Sequence, residues 1–297
     1  MKIWIDGRFL EKSDAKVSVF DHGLLYGDGV FEGIRAYGGR VFQLKEHVKR
    51  LYDSAKAVLL EIPFPAEEMT RVICEAVRVN ELRDAYIRVV VTRGTGDLGL
   101  DMRKCKVPTV IVIADKIQLY PKEVYERGLR VIVSHLRRIA PDTLSPSIKS
   151  LNYLNNILAR AEASRADCDE ALLLNREGMV AECSGDNIFY IRDLKVFTPP
   201  VHVGILEGIT RNVAMRLAKE KLGLEMHEQV FSVPELYRAD EVFVTGTGAE
   251  IIGVVLLNGR VIGDGKPGPL TTSLIRAFRE YTKTAEAGAA VYEAVKV

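Results

Sequence analysis

The chain has 297 residues, of which 47% are hydrophobic and 27% charged, with 41 Lys+Arg against 40 Asp+Glu and a formal net charge of +1. That is an ordinary globular composition with enough apolar material for two domains. It lacks both the basic excess that nucleic acid or an anionic membrane surface would need and any run near the ~20 apolar residues that cross a bilayer, so neither is an expected partner.

The opening Met1-Lys2-Ile3-Trp4-Ile5-Asp6-Gly7 breaks into an acidic turn before a secretory h-region could form, and the cytoplasm is the expected location. Asp6-Gly7 suits the positive φ angles of a two-residue hairpin between strands at Ile3–Ile5 and Phe9–Leu10. From Gln43 to Leu60, the residues Leu44, Val48, Leu51, Ala55 and Val58 recur at helical spacing. A second helix is predicted from Pro65 to Val79, with Pro65 in its first turn. Tyr86–Thr92 and Val107–Ile113 read as β-branched strands, which makes an α+β lobe ending near residue 120. Leu119-Tyr120-Pro121-Lys122-Glu123 breaks the pattern, so the expected division is 1–120, a linker over 121–130, and 131–297.

The second lobe is predicted to start with a strand at Leu129, then a Pro/Ser-rich stretch and a helix whose apolar stripe is Leu151, Leu154, Leu158 and Ala161. Short strands follow at Ala171–Leu174, Asn187–Ile191 and Val196–Thr198. A helix over Ile209–Leu222 stops at Gly223, a suitable C-terminal cap, and Ser232-Val233-Pro234-Glu235 has capping-box spacing. Strands at Glu241–Thr245 and Ile251–Leu257, a turn at Asn258-Gly259 and a helix over Thr271–Thr282 close the chain. Cys74, Cys105, Cys168 and Cys183 have no paired spacing, and they read as reduced structural thiols with neither disulfide nor zinc site.

Gly94-Thr95-Gly96-Asp97-Leu98-Gly99 fits the dinucleotide-binding pattern, but no helix can follow it before Pro108, so it is predicted to be a plain loop. Two better anion-binding turns are Gly208-Ile209-Thr210-Arg211, at the start of a helix, and Thr245-Gly246-Thr247-Gly248-Ala249, at the end of a strand. A helix start and a tight turn are the plainer alternatives. Lys149 is a single cation among short polar side chains in Ser145-Pro146-Ser147-Ile148-Lys149-Ser150-Leu151-Asn152-Tyr153, just before a helix. Shielding there would favour a nucleophilic amine, although position alone favours a surface lysine.

Glu182-Cys183-Ser184-Gly185-Asp186-Asn187-Ile188-Phe189, then Thr198, then Leu206-Glu207-Gly208-Ile209-Thr210-Arg211, resembles the signature of the class IV pyridoxal-phosphate aminotransferases. Tyr26-Gly27, Phe31-Glu32-Gly33-Ile34-Arg35, Glu46-His47 with Arg50, Tyr86-Ile87-Arg88, Lys149 with Tyr153, and Gly246-Thr247 extend the likeness to the branched-chain aminotransferases over nearly the whole chain. The resemblance implies an α+β, two-domain fold type IV enzyme like D-amino acid aminotransferase. Its smaller N-terminal lobe would be an α/β sandwich and its larger C-terminal lobe a pseudo-barrel that binds pyridoxal 5'-phosphate. It further implies that Lys149 carries the cofactor as a Schiff base and that Glu182 meets the pyridine nitrogen, keeping it positive so that the ring can accept electrons. Tyr153 would reach the phenolic oxygen. Arg50, Ile209, Thr210, Gly246 and Thr247 would hold the phosphate.

Substrate contacts are implied for Tyr26, Phe31, Gly33, Arg35, Tyr86, Arg88, Thr247 and Gly248. Tyr86 and Arg88, two apart on one strand, share a face and offer hydroxyl and guanidinium donors to a carboxylate. Phe31 and Gly33 suit a small aliphatic compartment, and Arg88 would arbitrate between an aliphatic chain and the charged side chain of 2-oxoglutarate. The expected reaction moves the amino group of L-leucine, L-isoleucine or L-valine to 2-oxoglutarate, giving glutamate, by a ping-pong route in a homodimer or dimer-based hexamer, with no metal. The alternatives on the same scaffold are a D-amino acid or (R)-amine transaminase and an aminodeoxychorismate lyase. Gly246-Thr247-Gly248-Ala249 has a glycine where the branched-chain group more often has alanine. A phosphate-binding module without chemistry would leave Lys149 unexplained.

Overall fold

The computed structural model of the chain describes residues 1–116 and 120–292. They form two compact units: 1–116 with 148–152 and 281–292, and 120–147 with 153–280. The stretch expected as a linker over 121–130 is instead a short helix and the start of a strand, because Pro121 sits at a helix N-cap where its missing N–H costs nothing. Leu119, the first residue of the pattern-breaking segment, lies outside the described residues.

In the first unit, β1 (Lys2–Ile5) and β2 (Arg8–Glu11) form the predicted hairpin, with Asp6 and Gly7 at φ 44° and 94°. Next come α1 (His22–Tyr26), β3 (Gly29–Tyr37), β4 (Arg40–Phe42), α2 (Leu44–Ala57), α3 (Ala66–Val79), β5 (Ala85–Thr92) and β6 (Thr109–Asp115). With a C-terminal strand at Gly288–Ala290, these strands build an antiparallel sheet in the order 288–290, β4, β3, β5, β6, β1, β2. Pro65 caps α3 from one position outside it rather than entering its first turn.

The predicted stripes of α2 (Leu44, Val48, Leu51, Ala55) and α3 (Met69, Val72, Ile73, Ala76) are buried in one core with Val30, Ile34, Ile87, Val89 and Val91 of β3 and β5. Each such aliphatic side chain contributes about 1.5–3 kcal/mol on burial. Strand alternation therefore turns Phe31, Gly33 and Arg35, with Tyr86 and Arg88, toward the opposite face of the sheet.

The second unit holds α4 (Lys122–Arg127), β7 (Leu129–Arg137), α5 (Leu154–Arg165), β8 (Glu170–Leu174), β9 (Val180–Cys183), β10 (Asn187–Arg192), β11 (Lys195–Thr198), α6 (Ile209–Leu222), β12 (Glu225–Glu228), α7 (Val233–Tyr237), β13 (Glu241–Gly246), β14 (Glu250–Leu257) and α8 (Pro269–Tyr281). Its mixed sheet runs β12, β11, β10, β13, β14, β7, β8, β9. The predicted punctuation appears as read: Gly223 caps α6 at φ 66°, Ser232 and Glu235 close a capping box, and Asn258-Gly259 turns at φ 50° and 77°. The glycine-rich loop at 94–99 opens no helix beyond a single 3-10 turn at Met102–Lys104.

One expected face is reversed. On α5, Leu154 and Leu158 are 65% and 48% exposed, while Asn156, Ala159 and Ala163 are the buried residues. The alanines pack with Ala171 and Leu173 of β8, because small side chains let the helix lie close on the sheet. Periodicity shows which residues share a face but not which face the fold covers.

Candidate active site

Lys149 belongs to the first unit, although it lies far along the chain from β3. Its carbonyl accepts the N–H of Phe31 at 3.0 Å, its own N–H donates to Ser54 Oγ at 3.1 Å, and Leu151 N–H donates to Gly29 carbonyl at 2.9 Å. A bridge between Val30 and Ser150 completes this short added edge to β3. Lys149 is half-buried, its Nζ 4.7 Å from the centre of the Phe31 ring, and the Arg88 guanidinium lies 4.6 Å from the same ring. Two cations thus share one aromatic side chain, an arrangement that draws an anion while offering it an apolar surface.

Gly33 is paired with Arg88 and Arg35 with Tyr86 across β3 and β5. Arg88 Nη2 donates to Tyr86 Oη at 2.9 Å. The tyrosine hydroxyl occupies the space a side chain at Gly33 would take, since a Cβ there would stand 2.2 Å from it. Phe31, Gly33, Tyr86, Arg88 and Lys149 are therefore one cluster. Arg35 lies further along the same strand face, over the Tyr37 ring, and lines a separate surface cavity of about 490 Å³ with Arg83, Asp84 and Lys116. Tyr26, at the end of α1, is 40% exposed and donates to the Leu98 carbonyl at 2.5 Å.

Arg50, which the resemblance puts at the phosphate, is held by an acid on β3. Its Nε and Nη2 donate to the two carboxylate oxygens of Glu32 at 2.7 and 2.9 Å, and His47 Nδ1 lies 2.8 Å from Glu32 Oε2. Glu32 and His47 are fully buried. Burial pushes the Glu32 carboxyl up, but Arg50 and then His47 more than reverse this and hold it at about 2. Burial lowers the His47 value against the opposing pull of Glu32; Nδ1 faces the carboxylate, and the buried Nε2 has no partner among the described residues. Sequence reading missed Glu32 and His47 as a unit. The available signal was a carboxylate between two core residues, Val30 and Ile34, on an otherwise apolar strand face.

In the second unit, Glu182 projects from β9 and is 5% exposed. Its Oε1 accepts Arg138 Nε at 2.7 Å, and its Oε2 accepts the Leu206 N–H at 3.0 Å and Asn187 Nδ2 at 3.3 Å. Arg138 was not foreseen either, since an Arg-Arg pair at a strand end gives no hint of burial. Gly208 precedes α6 without any side-chain cap, and Thr210 is buried at the helix start, so backbone donors of Ile209 and Thr210 suit an anion. Gly246 closes β13, where a Cβ would collide with Asp186 Oδ1; Thr247 and Gly248 form the turn beyond, and Tyr125 Oη donates to the Gly248 carbonyl at 3.4 Å. Tyr153 sits half-buried at the N-cap of α5. Within the second unit, a buried carboxylate and uncapped helix N–H donors are what an anionic, nitrogen-containing heterocycle requires. Among the described residues no group of three or more His, Cys, Asp or Glu could hold a metal, and no helix is long and apolar enough to cross a membrane.

The family model for amino-transferase class IV matches residues 29–257. A Methanocaldococcus jannaschii protein, named provisionally as a branched-chain-amino-acid aminotransferase, is 54% identical over 94% of this chain and 96% of its own. The crystal structure of the Escherichia coli branched-chain amino acid aminotransferase is similar with a TM-score of 0.95 at 36% identity, covering 98% of this chain and 99% of that one. The T.th. branched-chain amino acid aminotransferase complexed with N-(5'-phosphopyridoxyl)-L-glutamate is similar with a TM-score of 0.93 at 40% identity, covering 98% of each chain.

Proposed function

We propose a function from the premise that this chain belongs to the class IV aminotransferases. It has the fold type IV architecture and is a pyridoxal-phosphate-dependent branched-chain-amino-acid aminotransferase. The finer assignment is ours: leucine, isoleucine and valine donate, 2-oxoglutarate accepts, and glutamate is formed by a ping-pong route. The T.th. enzyme's complex with a phosphopyridoxyl-glutamate supports the acceptor.

Pyridoxal phosphate, when bound, supplies an electron sink for the substrate's α-carbon. Lys149 would hold the cofactor through its Nζ, and its free amine is the base that would move the substrate's α-proton. Glu182 presents a fixed carboxylate to the ring nitrogen, and Tyr153 donates to the phenolic oxygen. Arg50, with the backbone of Ile209 and Thr210 and the turn at Gly246 and Thr247, binds the phosphate. Tyr86 and Arg88 orient a substrate carboxylate, Phe31 and Gly33 shape the aliphatic compartment, and Tyr26, Thr247 and Gly248 complete the substrate contacts, from which Arg35 is set apart by its separate cavity.

The observation that carries this reading is the shared ring: Lys149 and Arg88 lie 4.7 and 4.6 Å from Phe31, which combines an amine, a carboxylate receptor and an apolar wall. The exposed stripe of Leu154, Ile157 and Leu158 on α5 supports assembly into a homodimer or a dimer-based hexamer, and we place the enzyme in the cytoplasm. Lys149→Ala should lose all turnover and the visible absorbance of the bound cofactor while keeping its circular dichroism. Turnover at the wild-type rate would overturn the role of Lys149. A wild-type preference for D-alanine over L-leucine would overturn the donor assignment and leave the cofactor residues standing.

A further inference from the structure

Arg138 is an arginine with 7% of its surface exposed, and it serves no contact in the chemistry outlined above. It is fixed from several sides. Its N–H donates to the Leu174 carbonyl at 2.8 Å, at the end of β8. Its Nη1 reaches Asn155 Oδ1 and Asn156 Oδ1 at 3.3 Å each, on the first turn of α5. Asn156 is itself held through Nδ2, which donates to the Ser184 carbonyl at 2.8 Å. The guanidinium so fixed directs Nε onto Glu182 Oε1 at 2.7 Å. Two asparagines, on the helix face that sequence periodicity would have filled with leucines, thus serve to aim one cation at one carboxylate.

We propose that Arg138 is a positioning residue that keeps Glu182 in its carboxylate form, so that the proton between Glu182 and the cofactor's ring nitrogen stays on the nitrogen. The inference rests on the assignment of Glu182 to that nitrogen. A carboxyl group buried to this degree without a cation is cheaper neutral than ionised. A neutral acid would donate its proton to the nitrogen lone pair as an ordinary hydrogen bond and leave the ring uncharged, a weak electron sink. Arg138 touches the carboxylate directly, so its positive charge favours the ionised acid over the neutral one. The same charge acts less strongly on the nitrogen, because the carboxylate stands between them.

The test uses the holoenzyme reconstituted with pyridoxal phosphate carrying nitrogen-15 in the ring, whose chemical shift separates protonated from unprotonated nitrogen. At neutral pH the wild type and Arg138→Lys should give the protonated signal, and Arg138→Met the unprotonated one, with loss of kcat and little change in the KM for leucine. Should Arg138→Met not fold, Arg138→Gln, which keeps a donor and drops the charge, gives the same comparison. A protonated signal in a folded, cofactor-loaded neutral variant overturns the proposal. Glu182→Gln separates the two levels of the argument. If it moves the signal and the Arg138 variants do not, only the role of Arg138 fails; if it does not move the signal, the assignment of Glu182 itself fails.

Discussion

Replacing Glu32 with glutamine removes one negative charge from a fully buried position between Arg50 and His47. In the native fold Arg50 and His47 overcome the cost of burial and hold the carboxyl at about 2, against an ordinary value of 4.5. At 1.36 kcal/mol for each unit, this difference corresponds to about 3 kcal/mol of stability. The sign follows from the lowered value. The contribution is complete above pH 4.5, where the unfolded chain's carboxyl is also ionised, and it fades as pH falls from 4.5 toward 2.

Glu32→Gln should therefore cost about 3 kcal/mol at pH 7, and the gap from wild type should narrow steadily below pH 4.5. Urea unfolding of the cofactor-free protein measures this without the stabilisation that a bound ligand adds. The chain's single tryptophan, Trp4, is buried in the same core as Val30 and Ile34 and packs edge-on against Phe64, so its fluorescence follows the unit concerned. A loss below about 1 kcal/mol at pH 7, or a gap that stays constant from pH 7 to about pH 3.5, would refute the reasoning.

Gly33→Ala places a Cβ 2.2 Å from Tyr86 Oη, so the hydroxyl must move and give up its bond from Arg88. The expected result is a drop of about tenfold in kcat/KM for leucine, the worth of one good hydrogen bond, with unfolding by urea nearly unchanged; wild-type kinetics would contradict it. Ile157→Glu, on the exposed stripe of α5, should shift the protein to monomers in light scattering at micromolar concentration. A wild-type oligomer in that variant would remove the stripe from the interface.

The exposed leucines of α5 and the buried Arg138 mark the same boundary of what a sequence can state. The pattern of α5 shows an apolar side and a mixed side, and the natural expectation buries the first. The fold buries the second, because Ala159 and Ala163 allow close packing on β8 and Asn156 is needed against Arg138. Arg50 makes the point again. As one charged residue on an amphipathic helix it reads as solvated, and only β3, laid beside α2, supplies the carboxylate that draws it in.

The order of residues by itself determined the hairpin at Asp6-Gly7, the core faces of α2 and α3, and the caps of α6 and α7. Each depends on interactions within a few positions, which side-chain type and spacing set directly. The motifs around Lys149, Glu182 and Thr210 also pointed to the chemistry, through their resemblance to the class IV aminotransferases rather than through residue type alone. Tertiary structure alone decided that Lys149 is anchored to β3, that Glu32 and His47 hold Arg50, and that Arg138 reaches Glu182. Those contacts join residues at least 15 positions apart, and whether a charge is buried or solvated depends on which distant element closes over it.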